Sequence, residues 1–145
     1  MKILILDGFT LFQKDLDVAV FENYGEIIYR DRTSRDELKQ VDHSVDVIIT
    51  NKCPIGADDL ALFPNLTLIL VSATGYNIVD VQACKSKGVQ VSNVPNYGTF
   101  SVAQHALAML LNYSNQVDLH EKSVKRGEWS SNQDWSYTLS PIREW

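Results

Sequence analysis

The chain contains five short apolar runs that alternate with segments of helical periodicity, and this alternation constrains the fold more than any other feature. The runs lie at residues 2–6, 26–30, 45–50, 66–71 and 89–93. Strands that are separated by helices need crossover connections, so they lie parallel in one sheet. Nearly continuous apolar strands such as VIIT and LILV are typical of a sheet that is buried on both faces. The sequence therefore predicts a doubly wound α/β domain with a flavodoxin-like parallel sheet.

Helical segments are predicted between these strands, at residues 14–22, 34–41, 56–62 and 79–87. Ser34 and Glu37 have the spacing of a capping box, which predicts Ser34 as the N-cap of its helix. Gly88 follows the last of the four segments directly. Glycine is common just after a helix, so we expect it to end that helix.

A longer helix is predicted after the fifth strand. Ser101 and Gln104 form an S-x-x-Q capping box, and apolar side chains follow at helical spacing over residues 101–127. Residues 106–111 are apolar on every side, which is typical of a helix that protein covers on several sides. The segment after this helix is rich in large aromatic residues, which favours an arm packed on a second chain or a further domain. Its tryptophans are Trp129, Trp135 and Trp145.

Charge and hydropathy exclude several classes of protein. The chain carries 13 basic and 18 acidic residues, and its basic residues cluster only at 122–126, which argues against a nucleic-acid partner. No apolar run approaches the roughly 20 residues of a membrane span, so no membrane segment is expected. Asp7 interrupts the N-terminal apolar run before a signal peptide could form. We therefore expect a cytoplasmic location.

Several common kinds of site are missing from the sequence. Its seven glycines never fall in G-x-G-x-x-G or Walker spacing, so no complete nucleotide-phosphate loop is expected. No cysteine or histidine pattern has metal-ligand spacing, so we expect no metal site. Cys53 and Cys84 are expected to be reduced thiols. Cys53 lies in a loop beside Lys52 with no obvious histidine partner, which favours an incidental cysteine over a nucleophile.

Three histidines are candidates for acid–base chemistry. His43 lies in a polar loop and His120 in a charged helical stretch, so both are expected to be solvated. His105 lies in the first turns of the long helix, where a packed or hydrogen-bonded structural role is expected. No carboxylate that could orient any of them is evident.

The stretch SATGYNIVD, residues 72–80, connects a predicted strand to a predicted helix. Such a turn at the carboxyl edge of a parallel sheet is either a tight connection or a cradle of backbone amides for an anion. Gly75 would allow an anion to approach closely because it has no Cβ. The pattern of residues alone leaves both interpretations open.

The motifs TNKCPI, ATGYNIVD, VSNVPNYGTFSVAQH and GEWS together resemble the N-terminal half of the D-isomer-specific 2-hydroxyacid dehydrogenases. The resemblance is greatest to the glycerate dehydrogenase or hydroxypyruvate reductase branch, and it covers essentially the whole chain. It implies that residues 1–98 form most of a flavodoxin-like substrate domain. It also implies that residues 99–145 form a crossing helix and a dimer arm. In this family the C-terminal end of the chain completes the substrate domain, and a Rossmann domain is inserted between the two parts of that domain.

The resemblance implies an oxidoreductase that uses NAD or NADP and acts on a small 2-hydroxy or 2-oxo acid. The catalytic Arg, Glu and His of the family would lie beyond residue 145, so no catalytic residue is assigned within this chain. His105 matches a helical histidine of the family that is not its catalytic base. The 145 residues alone are expected neither to catalyse the reaction nor to bind the cofactor tightly. A homodimer through the long helix and the Trp-rich arm is implied.

The resemblance also implies a set of site residues. The backbone amides of Thr74 and Gly75 would hold the substrate carboxylate, and Thr74 would also lie near the nicotinamide. Lys52 either adds positive charge near the substrate or is a solvated loop lysine. Tyr97 either contacts the substrate or packs at an interdomain hinge. Val102 either lines the nicotinamide pocket or packs within its helix.

Two alternative functions belong to other classes. A binding or oligomerisation module without catalytic activity, derived from the same family, would keep the carboxylate loop or only the dimer arm. A phosphoacceptor receiver domain has a similar layout of strands and helices. The residues argue against a receiver, because no acidic pair follows the first strand and VIIT does not end at an aspartate.

Overall fold

The computed structural model describes residues 1–12 and 16–134 and divides into two compact units, Met1–Tyr97 and Gly98–Trp145. The expectations for Trp135 and Trp145 lie outside the described residues. The interpretation of the two units as a substrate domain and a dimer arm stays a prediction.

The first unit is built on a five-stranded parallel sheet with the strand order β2-β1-β3-β4-β5. This order is flavodoxin-like and confirms the predicted fold class. All five strands end at the same edge of the sheet, and the loops that follow them therefore share that edge. The strands are β1 Lys2–Ile5, β2 Glu26–Tyr29, β3 Val47–Thr50, β4 Leu68–Val71 and β5 Gln90–Asn93.

One face of the sheet carries the larger hydrophobic core. Helices α1 (Ala57–Leu60) and α2 (Val81–Lys87) and the 3-10 helix Glu37–Gln40 contribute buried side chains to it. Helix α2 starts at Asp80, whose carboxylate accepts the Ala83 N–H at 2.9 Å. It ends at Gly88, which has a φ of 77°, as predicted. The fully buried side chains include Leu4, Leu38, Ile48, Leu60, Phe63 and Ile69.

The other face of the sheet is only partly covered by the described residues. Leu11, Phe12, Val18 and Phe21 pack against it from the segments that precede β2. A cleft of about 360 Å³ remains open over this face. Its lining is mostly apolar and includes Ile3, Phe21, Tyr24, Val47, Ile49 and Leu68.

Two of the predicted helices are present as short 3-10 turns. Ser34 and Glu37 make the reciprocal hydrogen bonds of a capping box, since the Glu37 carboxylate accepts the Ser34 N–H at 2.8 Å and the Ser34 hydroxyl accepts the Glu37 N–H at 3.3 Å. These bonds stabilise a tight turn, however, and the helix begins only at Glu37. The segment predicted over 14–22 contains the 3-10 helix Val18–Tyr24 and includes residues outside the described ones.

The second unit contains three helices, α3 (Thr99–Asn115), α4 (Val117–Lys125) and α5 (Glu128–Ser131). The prediction of one continuous helix over 101–127 is wrong, because Gln116 adopts a left-handed conformation with a φ of 52° and separates α3 from α4. The predicted cap at Ser101 is also wrong. Gly98 occupies the N-cap position, and its carbonyl accepts the Val102 N–H at 2.9 Å.

The apolar side chains of α3 are exposed, with Phe100 at 88% and Met109 at 59% of full exposure. The predicted apolar segment is thus present, but the described residues do not cover it. The connection from α4 to α5 is fixed by the Glu128 carboxylate, which accepts hydrogen bonds from Arg126 Nε and Ser123 Oγ at 2.6 Å each. Within the described part of the chain, no helix has the length and apolar character required to cross a bilayer.

Candidate functional site

In the loop after β4, none of the backbone N–H groups of residues 73–78 donates a hydrogen bond to another described residue, and those of Thr74 and Gly75 are among them. The Ser72 N–H makes the last ladder bond of this strand, to the Thr50 carbonyl at 2.9 Å. The N–H groups of Thr74 and Gly75 then make no hydrogen bond to any other described residue. Both residues are exposed, so these donors are available to a ligand. Paired free amides at the carboxyl edge of a parallel sheet suit a carboxylate.

Hydrogen bonds to the end of β5 fix this loop in place. The Val94 N–H donates to the Ala73 carbonyl at 3.1 Å, and the Thr74 hydroxyl donates to the Val94 carbonyl at 3.1 Å. The Asn93 side-chain amide donates to the Thr74 carbonyl at 2.8 Å. The side chain and the carbonyl of Thr74 are therefore both engaged. Its orientation is set without using its N–H.

The loop after β3 lies beside the loop after β4, and hydrogen bonds connect the two loops at two points. The Asn51 side-chain amide donates to the Ser72 carbonyl at 2.7 Å. Further along, the Ile55 N–H donates to the Ile78 carbonyl and the Asp80 N–H to the Ile55 carbonyl, each at 2.9 Å. The loop containing Lys52 therefore lies at the same edge of the sheet as Thr74 and Gly75.

Lys52 lies between these two connections, at Asn51 and Ile55, and is exposed. None of the ion pairs found among residues 1–12 and 16–134 includes it. Its ammonium group is thus free of a carboxylate partner in the described structure. Either interpretation of this lysine, an added charge near an anion or a solvated side chain, stays a prediction.

Asp7 is the residue that the sequence analysis did not recognise as part of this edge. The residue is 3% exposed, and one of its carboxylate oxygens accepts the Thr50 hydroxyl at 3.0 Å. The same oxygen accepts three consecutive backbone N–H groups, from Asn51 at 2.8 Å, Lys52 at 2.9 Å and Cys53 at 3.0 Å. The acidic residue directly after a buried strand was the one signal in the sequence that could have indicated this role. Its partners lie 43 to 46 residues away, so the sequence could not indicate them.

The environment of Cys53 argues against a nucleophile. Its side chain is buried, and burial, with the negative charges of Asp7 and Asp59 as lesser causes, raises the pKa of this thiol to about 11. Burial is also the main cause that raises the pKa of Cys84. Both cysteines are free thiols that resist ionisation, which agrees with the prediction of reduced, incidental cysteines.

Tyr97 and Val102 are both 69% exposed. Tyr97 follows β5 at the same edge of the sheet and is the last residue of the first unit. Val102 lies in the first turn of α3, in the second unit. The proposed roles of these two residues stay predictions.

The histidines differ from what the sequence predicts in two of three cases. His43 is half-buried, with Nε2 at 3.2 Å from the Leu38 carbonyl and its ring edge-on to Phe63, so it is not a solvated loop residue. His105 is exposed on α3, whereas a packed or hydrogen-bonded role was expected. His120 is exposed, as predicted. Among the described residues, no group of three or more His, Cys, Asp or Glu side chains could hold a metal ion.

The sequence profile of the D-isomer specific 2-hydroxyacid dehydrogenase, catalytic domain, matches residues 3–141. The chain therefore belongs to the D-isomer-specific 2-hydroxyacid dehydrogenase family, as the resemblance predicted. It is 42% identical to the hydroxypyruvate reductase of Blautia hydrogenotrophica, over 99% of this chain and 46% of that protein. It is 30% identical to the glycerate dehydrogenase of Methylorubrum extorquens, over 97% of this chain and 44% of that protein. The chain thus spans about half the length of the curated relatives it matches.

Solved structures support the same fold. An acyclic imino acid reductase in complex with NADPH and D-Arg matches 99% of this chain and 44% of its own, with a TM-score of 0.75 and 22% identity. The 2-hydroxyacid dehydrogenase of Ketogulonicigenium vulgare Y25 matches 98% of this chain and 43% of its own, with a TM-score of 0.67 and 26% identity.

Proposed function

We propose that this chain is the carboxylate-binding part of an NAD- or NADP-dependent D-2-hydroxyacid dehydrogenase that acts on a small acid such as glycerate, hydroxypyruvate or glyoxylate. The observation that carries the proposal is the pair of free N–H groups at Thr74 and Gly75, in a loop fixed by hydrogen bonds at the carboxyl edge of the sheet. Family membership and the two named relatives support the substrate class.

The chemistry of the site follows from charge and geometry. A carboxylate at Thr74 and Gly75 would receive two hydrogen bonds from donors that need no rearrangement, which is the kind of preorganised contact that positions a substrate. Lys52 would strengthen the attraction for an anion from the neighbouring loop. Tyr97, at the end of the adjacent strand, would contact the rest of the substrate.

The nicotinamide cofactor would supply or accept the hydride at C2 of the acid. The sequence has no glycine-rich phosphate loop, so these 145 residues offer no cradle for the pyrophosphate. The part of the cofactor that Thr74 and Val102 would contact is the nicotinamide end. We expect no tight cofactor binding by this chain alone, and no turnover at an enzymatic rate with NADH and either hydroxypyruvate or glyoxylate.

The exposed apolar side chains along α3 favour a homodimer in which a second copy of the chain covers this surface. Phe100, Leu107, Met109 and Leu110 are each more than 40% exposed on one 17-residue helix. Contiguous apolar surface of this kind marks an interaction site on a soluble protein. Analytical ultracentrifugation should find a dimer, and a monomer at all concentrations would contradict this part of the proposal. A dimer that binds no 2-oxo acid would instead favour an oligomerisation module without catalytic activity.

Calorimetry with matched ligands tests the binding function. Glyoxylate and D-glycerate should bind the 145-residue chain, whereas glycolamide, which has no carboxylate, should not. The affinity should fall as the salt concentration rises, because an anion meets exposed donors and a cationic loop. Equal binding of glycolamide and glyoxylate would contradict a carboxylate site.

A further inference from the structure

Asp7 is a buried carboxylate that the proposed binding chemistry does not use directly. It lies between the end of β1 and the 3-10 helix Gly8–Thr10, with 3% of its surface exposed. A buried charge is strongly unfavourable unless hydrogen bonds compensate for the lost water. Its donors are therefore required by the buried charge itself.

Those donors come from one short turn. The Thr50 hydroxyl and the backbone N–H groups of Asn51, Lys52 and Cys53 all converge on one Asp7 oxygen, at 2.8 to 3.0 Å. The Thr50 hydroxyl lies also at 2.8 Å from the Cys53 carbonyl, which closes the turn on itself. Consecutive N–H groups that surround one anion define the backbone path of the residues that carry them. The position from which the Lys52 side chain extends is thereby set by Asp7.

The same turn reaches the carboxylate loop. Asn51, whose N–H donates to Asp7, uses its side-chain amide to donate to the Ser72 carbonyl at 2.7 Å and to the Ser72 hydroxyl at 3.2 Å. Ser72 lies two residues before Thr74. A continuous series of hydrogen bonds thus connects the end of β1 to the loop with the free amides.

We propose that Asp7 is a positioning residue that fixes the Asn51–Cys53 turn, and through the Asn51 side chain the loop containing Thr74 and Gly75, so that Lys52 and the two free amides face one anion. The anion part of this statement rests on the proposed function. The positioning part rests on the hydrogen bonds alone.

The test compares Asp7→Asn with Asp46→Asn in the full 145-residue chain, labelled with ¹⁵N. The Asp46 carboxylate accepts the Lys2 N–H at 2.7 Å at the opposite edge of the same sheet. Its variant therefore removes a charge and weakens a similar hydrogen bond without touching the turn. Amide hydrogen exchange is measured at 51–53, with Ile48 and Ile69 as references for the core.

Replacing Asp7 by asparagine keeps the shape but leaves a neutral acceptor, which binds N–H groups less strongly. Exchange at 51–53 should become about tenfold faster or more, after correction for any change at the core amides. The amide resonances of Thr74 and Gly75 should shift in the same variant. Asp46→Asn should produce neither effect. Unchanged protection at 51–53, or an unchanged Thr74–Gly75 loop after the turn has loosened, would overturn the proposal.

A second variant keeps the proposal testable if Asp7→Asn does not fold. Thr50→Val conserves shape in a buried position and removes the hydroxyl that donates to Asp7. It should accelerate exchange at 51–53 severalfold, because the Asp7 carboxylate and the Cys53 carbonyl lose the one hydroxyl proton that lies within reach of both. Exchange equal to that of the unmodified chain would overturn the proposal.

Glyoxylate titration separates the positioning role from the proposed function. In Asp7→Asn the affinity should fall, and adding Lys52→Met should lower it no further, because the lysine is already misplaced. If the unmodified chain binds no glyoxylate, the proposed function is wrong, and the exchange measurement still decides the role of Asp7. Equal losses from Lys52→Met in both backgrounds would contradict the positioning of Lys52 by Asp7.

Discussion

The Thr74 hydroxyl donates to the Val94 carbonyl at 3.1 Å and thereby joins the loop after β4 to the loop after β5. This bond orients the residue whose N–H we propose as a carboxylate donor. Thr74→Val removes the hydroxyl with little change of shape, whereas Thr74→Ser retains it. We expect the valine variant to bind glyoxylate several times more weakly and the serine variant to bind almost normally, measured by calorimetry. The free energy of unfolding should fall by about 1 kcal/mol or less in Thr74→Val, since the bond is exposed.

Equal affinities of the valine and serine variants would show that the Thr74 hydroxyl does not position the loop. The comparison is informative because both variants keep the backbone N–H that is proposed to contact the ligand.

The surroundings of Gly75 leave space for a small side chain at this position. A Cβ built on it would meet Asn77 Oδ1 at 3.3 Å, which a small movement of that exposed side chain relieves. We therefore expect Gly75→Ala to change the free energy of unfolding by less than about 0.5 kcal/mol. It should nevertheless weaken glyoxylate binding, because the added methyl group restricts close approach to the amides.

Gly88→Ala is the matched control for Gly75→Ala. Gly88 has a φ of 77° with no atom within 4 Å of an added Cβ, so alanine there is strained by its backbone conformation alone. This variant should lose about 1 kcal/mol of unfolding free energy and bind glyoxylate normally in the folded state. Chemical denaturation and calorimetry together check the pair. Unimpaired binding by Gly75→Ala would argue against direct contact between ligand and loop backbone.

Lys52 is expected to contribute through the positive charge that the Asn51–Cys53 turn holds near the anion. Lys52→Met should weaken glyoxylate binding by up to about fivefold at low salt, in line with exposed charge pairs. Lys85→Met makes the same change in net charge on α2 and should have no such effect. The difference between the two variants should shrink as ionic strength rises. Identical affinities of the two variants at low salt would support the solvated-lysine interpretation.

The buried Cys53 thiol makes stability depend on pH in the alkaline range. Its pKa is raised to about 11 in the folded chain from an ordinary value of 9.0, so the unfolded chain loses this proton first. The unfolding free energy should therefore be unaffected by this group below pH 9 and should decline between about pH 9 and 11. Cys53→Ala should reduce the slope over that interval by at most about 1.4 kcal/mol per pH unit. An unchanged slope would mean that the thiol titrates normally in the fold.

The sheet and its connections could be predicted because their signals are local. The strands β1, β3 and β4 are nearly continuous apolar runs, and Gly88 directly follows its helix. The break at Gln116 could not be predicted in this way, since nothing in its neighbourhood resembles a glycine cap. The cap at Ser101 was wrong because the helix starts two residues earlier, at Thr99.

Only those parts of the candidate site that have a local signal in the sequence could be predicted. The turn at Gly75 is evident from the local sequence, and the family resemblance indicated which amides to consider. The role of Asp7 depends on four donors more than 40 residues away, so only the assembled sheet reveals it. His43 likewise packs on Phe63, a residue of the next helical connection.

Titration of the ¹⁵N-labelled chain with glyoxylate, followed residue by residue in ¹H–¹⁵N spectra, tests the central claim most directly. We expect saturable shifts centred on the amides of Thr74 and Gly75, with smaller shifts at Lys52, and no response to glycolamide. The amides of Gly88 and of α4 should stay unchanged and serve as internal references. Shifts that are absent from the Thr74–Gly75 loop, or that glycolamide reproduces, would contradict the assignment of this loop as a carboxylate site.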